Sequence, residues 1–168
     1  MPAKLKKLIC FIILFLVFCL QISPFAQQIN VEGVTPDLIF ISLLVLSLYL
    51  KPSEVIAYAF IFGSMNDLLY GKVYGITAIL FIGFVCLFLL LNKYIYCESY
   101  FTIFLYSFIA TLSYESILAL VNFVIWGKVD FLNEIVTKIL VQCFYNGLLT
   151  LPAFAIVRNL IKKRQEVR

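Results

Sequence analysis

A chain of 168 residues is long enough for one domain. Its apolar fraction is 64% and its charged fraction 13%, against roughly 45–50% and roughly 25% in ordinary soluble domains. So few charges cannot cover a water-exposed surface, which excludes a soluble globule and leaves lipid as the main solvent. The net charge of +4 is gathered at the ends of apolar runs. With no extramembrane domain to shape a groove around it, this charge is no sign of nucleic-acid binding.

Six apolar segments follow in order. The first covers about residues 8–26, behind Lys4, Lys6 and Lys7. A basic start and an apolar run could make a secretory signal, but Ser23-Pro24-Phe25-Ala26 is no clean small-residue cleavage site, so the segment reads as a retained first helix. The second, 38–50, falls short of the roughly 17–20 residues a spanning helix needs and is expected to borrow residues 34–37. The third and fourth cover 54–70 and 74–91; the fifth lies within 100–126 and the sixth covers 135–157. Lys51-Pro52-Ser53 and Gly71-Lys72-Val73 make short links, which force antiparallel neighbours. Pro52 suits the first turn of a helix, where its missing N–H costs nothing.

Basic residues set the orientation, because they collect on the cytoplasmic side. With both termini inside, that side carries Lys4, Lys6, Lys7, Lys51, Lys93, Arg158, Lys162, Lys163, Arg164 and Arg168, and the other side only Lys72, Lys128 and Lys138. Glu32, Asp37, Asp130 and Glu134 also fall outside. Both termini inside requires an even number of spans, and four would leave two apolar runs out of the membrane. The reading is therefore an all-α integral membrane protein: one polytopic domain over residues 1–168, a bundle of about six transmembrane helices with cytoplasmic termini. Tyr70, Tyr74, Tyr94, Tyr96, Tyr100 and Trp126 fall near segment ends, as an interfacial aromatic belt would.

There is no histidine, which removes Ser-His triads, histidine zinc sites and histidine proton relays. Cys10, Cys19, Cys86, Cys97 and Cys143 show no CxxC or metal-ligand spacing and read as free thiols buried as small hydrophobes. No catalytic, cofactor-binding or metal-binding residue is expected.

Ionisable residues inside spanning helices are costly, so Asp37, Asp67 and Glu115 stand out. Ala59, Gly63, Asp67 and Gly71 recur every four residues and share one helix face, where small residues let two backbones approach. The buried Asp67 would fix helix packing or receive a partner; the plainer reading is a carboxylate reaching the outer headgroups. Ser107, Thr111, Glu115 and Ala119 repeat the spacing in segment five, and Gln142, Asn146 and Thr150 in segment six. Three polar stripes meeting inside a bundle would explain all of them, and a substrate or proton path would look the same in sequence. Asp37, behind Pro36, reads as a helix-start signal. Gly63→Leu should disturb folding or assembly, and Asp67→Asn is expected to be milder than that, because an amide can keep much of the hydrogen bonding.

Three motifs carry a family resemblance. Thr35-Pro36-Asp37-Leu38-Ile39 resembles the Pro-Asp-Leu helix start of MreD proteins. Gly63-Ser64-Met65-Asn66-Asp67-Leu68-Leu69-Tyr70-Gly71, followed by Gly75, resembles that family's Gly-x-x-x-Asp-Leu-Leu-x-Gly element, with Ser64-Met65-Asn66 where apolar residues are more usual. Asn146, ahead of an apolar stretch with Pro152 and a basic tail, resembles its closing Asn-x-Leu-x-x-x-Pro pattern. The resemblance spans most of the chain. It implies a multi-pass protein of the bacterial inner membrane, a non-enzymatic member of the wall-elongation machinery. Its implied partners are an MreC-like bitopic protein and, through it, MreB, RodA and a class-B penicillin-binding protein. It also implies kinship with the six-helix substrate-binding subunits of vitamin transporters.

Two other readings compete. In a transporter subunit the polar stripes would line a ligand pocket, although short outer loops offer little to cap one. An intramembrane aspartyl hydrolase, similar to lipoprotein signal peptidase, would need two carboxylates sharing a proton. Asp37 and Asp67 both lie near the outer face, but Leu68 stands where that family has an arginine, and no second aspartate element follows.

Overall fold

The computed structural model describes residues 3–23, 34–70, 74–92, 99–126 and 138–165. Its regular elements are all helical: α1 (Ala3–Ile22), α2 (Leu38–Ser47), α3 (Pro52–Tyr70), α4 (Ile76–Leu91), α5 (Tyr100–Trp126) and α6 (Leu140–Gln165). The first helix begins ahead of the expected 8–26 and takes in its lysines, and it ends at Ile22; residues 24–26 lie outside the described residues. The last helix starts at Leu140, behind a short π turn at Lys138 and Ile139, and the expected start at 135–137 also lies outside them.

The second segment departs most from expectation. It does not borrow residues 34–37. Asp37 has non-helical φ/ψ of −87° and 83° and caps a helix of 10 residues. That length rises about 15 Å, half of a hydrocarbon core of about 30 Å. Because α2 is apolar on every side, it sits at the centre: Ile39, Phe40, Leu43, Leu44 and Val45 are all buried. It packs against α1, α3, α4 and α6. The Phe40 ring stacks on Tyr114 (4.8 Å between centroids) and Phe81 (5.5 Å) and meets Phe84 edge-on (5.8 Å), which joins α2, α4 and α5 in one aromatic cluster.

Two antiparallel pairs, α3 with α4 and α5 with α6, flank this centre. Pro52 stands in the first turn of α3. Lys7 pairs with Glu54 at 3.1 Å and its carbonyl accepts from the Tyr58 hydroxyl at 3.0 Å, so α1 and α3 begin side by side. α4 and α5 touch only lightly, and a cavity of about 340 Å³ opens between Phe84, Leu87, Leu91, Leu105, Ile109 and Ala110.

Outward faces are apolar: Phe101, Ile79 and Val124 are each at least 70% exposed. Stretches of α5 (Tyr100–Ile125) and α6 (Leu140–Asn159) are long and apolar enough to cross a membrane. Cys10, Cys19, Cys86 and Cys143 are free thiols. Only Cys143 is fully buried, and Cys19 lies exposed on the apolar face of α1, where a thiol is as compatible with lipid as a methyl group is. Cys97 lies outside the described residues.

Candidate functional site: a buried polar framework

The α3–α4 seam is built on glycine. A Cβ placed on Gly63 would lie 2.5 Å from the Cα of Ala78, so only glycine permits this approach. The closeness delivers Asp67, 2% exposed, to the start of α4. There Gly75 occupies the N-cap with φ of +90°, a left-handed conformation glycine adopts without steric cost, and has no side chain to cap with. Asp67 supplies the missing acceptor from the neighbouring helix. Its Oδ2 accepts from the N–H groups of Gly75 (3.0 Å) and Ala78 (3.2 Å), and Oδ1 from Thr77 (3.1 Å). Three N–H groups that a helix start leaves unpaired are satisfied by one carboxylate, whose charge also suits the helix dipole.

The α5–α6 pair is joined by three rungs. Ser107 Oγ meets Thr150 Oγ1 at 2.7 Å, Asn146 Nδ2 donates to Thr111 Oγ1 at 3.4 Å, and Gln142 Nε2 donates to Glu115 Oε1 at 2.6 Å. Steps of four up one helix match steps of four down the other, as antiparallel packing requires. Thr150 Oγ1 also donates to the Asn146 carbonyl at 2.7 Å. A hydroxyl has one proton, so Ser107 is the donor of the first rung.

The third junction holds the start of α2. Asp37 Oδ1 accepts from the N–H of Phe40 (3.0 Å) and from Gln21 Nε2 (3.3 Å), while Gln21 Oε1 accepts from the N–H of Ile39 (3.0 Å). The Asp37 N–H donates to Asn146 Oδ1 at 3.1 Å. Asn146, fully buried, thereby ties α2 to the middle rung of the α5–α6 ladder.

Of the residues singled out from sequence, Asp37, Asn146 and Glu115 enter this framework, with Pro36 buried just ahead of the Asp37 cap. Gly63, Asp67 and Gly75 form the α3–α4 seam; Gly71 lies outside the described residues. The three stripes do not all converge. Those of α5 and α6 meet each other, whereas the α3 stripe turns to α4, because its glycine lets α4 come closest and α4 has unpaired N–H groups to offer. The hydrogen bonds around Asp67 argue against the expectation that an amide there keeps much of the bonding. All three partners are donors, and an amide nitrogen would face them with a donor of its own.

Sequence reasoning missed Gln21. A lone amide in an apolar run was the available signal, since a polar group in lipid needs a partner. Asn66 Oδ1 is buried and unpartnered among the described residues. No hydrogen bond joins Asp37 to Asp67, and each is engaged by helix N–H groups, so the pair does not form a shared-proton aspartyl site. Among the described residues no cluster could hold a metal ion. The chemistry of this framework is structural: it fixes helix starts and helix–helix register.

The family model described as rod shape-determining protein MreD matches residues 1–164. No curated protein and no solved structure matches the chain.

Proposed function

The chain belongs to the rod shape-determining protein MreD family, a family of membrane proteins, and on that premise we propose that it is a non-enzymatic scaffold subunit of the bacterial wall-elongation complex. Its role lies in rod-shape determination. In this reading residues 1–168 form a single domain that crosses the inner membrane six times, with both termini in the cytoplasm. An MreC-like bitopic protein is its direct partner; MreB, RodA and a class-B penicillin-binding protein are reached through it.

The observation that carries the reading is the family match over nearly the whole chain. The polar framework supports it. Its membrane carboxylates and amides are spent on caps and rungs, so they serve to hold a fixed bundle that a partner can dock against. Ten of the 13 basic residues fall on the side assigned to the cytoplasm, which supports the orientation. Gly63, Asp67 and Gly75 would keep the α3–α4 seam closed, and Pro36, Asp37, Glu115 and Asn146 the central junction.

The test is a gentle-detergent pull-down of the tagged protein from its native membrane. Co-purification of MreC-like and RodA-like proteins is expected. Recovery of the tagged protein free of both, from cells in which they are abundant, would refute the scaffold role.

A further inference from the structure

The end of α6 assigned to the cytoplasm carries a cation whose hydrogen-bond donors meet no acceptor among the described residues. The apolar stretch Leu140–Asn159 rises about 30 Å, the thickness of the hydrocarbon core, so Arg158 falls at its boundary. The helix does not stop there. It runs on to Gln165, about 9 Å further, through the depth of a headgroup layer. Residues 158–165 contain Arg158, Lys162, Lys163 and Arg164 and no acid.

Arg158 is held in place. Its guanidinium carbon lies 5.8 Å from the ring centroid of Tyr100, in the first turn of α5, and 5.8 Å from that of Phe154, one turn back on α6. Those rings meet edge-on at 5.5 Å, and Phe154 stacks on Tyr49 at 6.3 Å, just past the end of α2. Three segments of the chain thus build an aromatic seat for one guanidinium. A guanidinium presents five N–H donors, and no carboxylate or carbonyl of the described residues accepts from Arg158. Fixed donors at the hydrocarbon boundary require an acceptor.

We propose that Arg158, seated on Tyr100 and Phe154 and followed one helical turn later by Lys162, holds the phosphate of an anionic phospholipid in the cytoplasmic leaflet. A phosphodiester matches the planar donor fork, and clustered basic residues just past a spanning helix favour an anionic headgroup. Depth favours lipid over an acidic protein segment, because Arg158 lies where the apolar stretch ends and not beyond the headgroups. The choice of leaflet rests on the orientation proposed above.

The test uses the full chain in mild detergent, titrated with phosphatidylglycerol or with phosphatidylcholine of the same acyl chains, bound lipid being counted by native mass spectrometry. Phosphatidylglycerol should be retained about tenfold more strongly, and Arg158→Gln should bring the two lipids close to parity. Arg158→Lys keeps the charge and loses the fork, so it should weaken phosphatidylglycerol binding about threefold and serves if the glutamine variant does not fold. Equal retention of both lipids by the unaltered protein would overturn the proposal. So would full preference in both variants, or inorganic phosphate displacing the lipid at equal concentration. A C-terminal reporter read in intact cells tests the orientation separately: a cytoplasmic signal supports the leaflet assignment, and an external one overturns it without touching the lipid preference.

Discussion

Gly63→Ala and Gly83→Ala are the same chemical change in neighbouring helices, and the structure separates them. At Gly63 the new Cβ would stand 2.5 Å from the Ala78 Cα and 3.1 Å from its nitrogen. Carbon atoms settle about 3.5–4.0 Å apart, so the seam must open by about 1 Å or more. Overpacking of this kind costs about 1–3 kcal/mol. Opening the seam also draws Asp67 away from three N–H groups now at 3.0–3.2 Å, and a buried donor left unpaired costs about 1–3 kcal/mol. Alanine returns about 0.5–1 kcal/mol through its better helix propensity. The net loss for Gly63→Ala lies between about 1 and about 5.5 kcal/mol, with a central value of about 3 kcal/mol. At Gly83 nothing lies within 4 Å of the added carbon, so only the propensity gain remains. The assay is thermal unfolding of both purified variants in one mild detergent, followed by circular dichroism. Gly63→Ala should melt at least about 5 °C lower, and Gly83→Ala at or slightly above the unaltered protein. Equal melting of Gly63→Ala and the unaltered protein would refute the reasoning, as would an equal fall for Gly83→Ala.

Asp67→Asn should lower the melting temperature almost as much as Asp67→Ala, because one amide oxygen cannot serve donors spread over two carboxylate oxygens; a melting point near that of the unaltered protein would contradict the capping role. A double-mutant cycle on Glu115→Ala and Gln142→Ala should give a coupling of about 0.6 kcal/mol or more, up to the roughly 1.7 kcal/mol maximum for hydrogen bonds between membrane helices, and additivity would mean the rung contributes nothing. Asn146→Leu should exceed Thr111→Val in cost by about 1 kcal/mol or more, since it also strips the acceptor from the Asp37 N–H; comparison of the two unfolding midpoints decides.

The helical segments and the side chains worth watching were readable in the chain because lipid makes both conspicuous. An apolar run must be helical to satisfy its backbone, and a polar group within it must find a partner. Hence α5 fills the whole of the 100–126 window within which the fifth segment is expected, and the four-residue spacing of Ser107, Thr111 and Glu115 located one side of the ladder. Pairing was less legible. Spacing places Gly63 and Asp67 on one face but does not say which helix that face meets, and the answer depended on Gly75 leaving a helix start uncapped. Residues 34–37 would complete a spanning length but stand outside the helix, so length is no guide to a short central segment. Asp37 stops the helix by taking the Phe40 N–H, and a segment with seven of its ten residues buried need not reach both headgroup layers. Gln21 escaped notice because its partners lie 16 and 18 residues away, across a stretch with no periodic signal.

The brevity of α2 bears on how the protein is made. A helix emerging from the ribosome can enter the bilayer by itself only if it is long enough to exchange water for lipid along a full crossing, and 10 residues are about half of that. Its start is clamped by Gln21 from α1, synthesised before it, and by Asn146 from α6, synthesised about a hundred residues after it. Its place at the centre therefore cannot be settled until α6 has arrived. The α2 junction closes only once α6 is made, and ribosome-bound intermediates cut short before residue 146 should leave the α2 region open to proteases that the full chain resists.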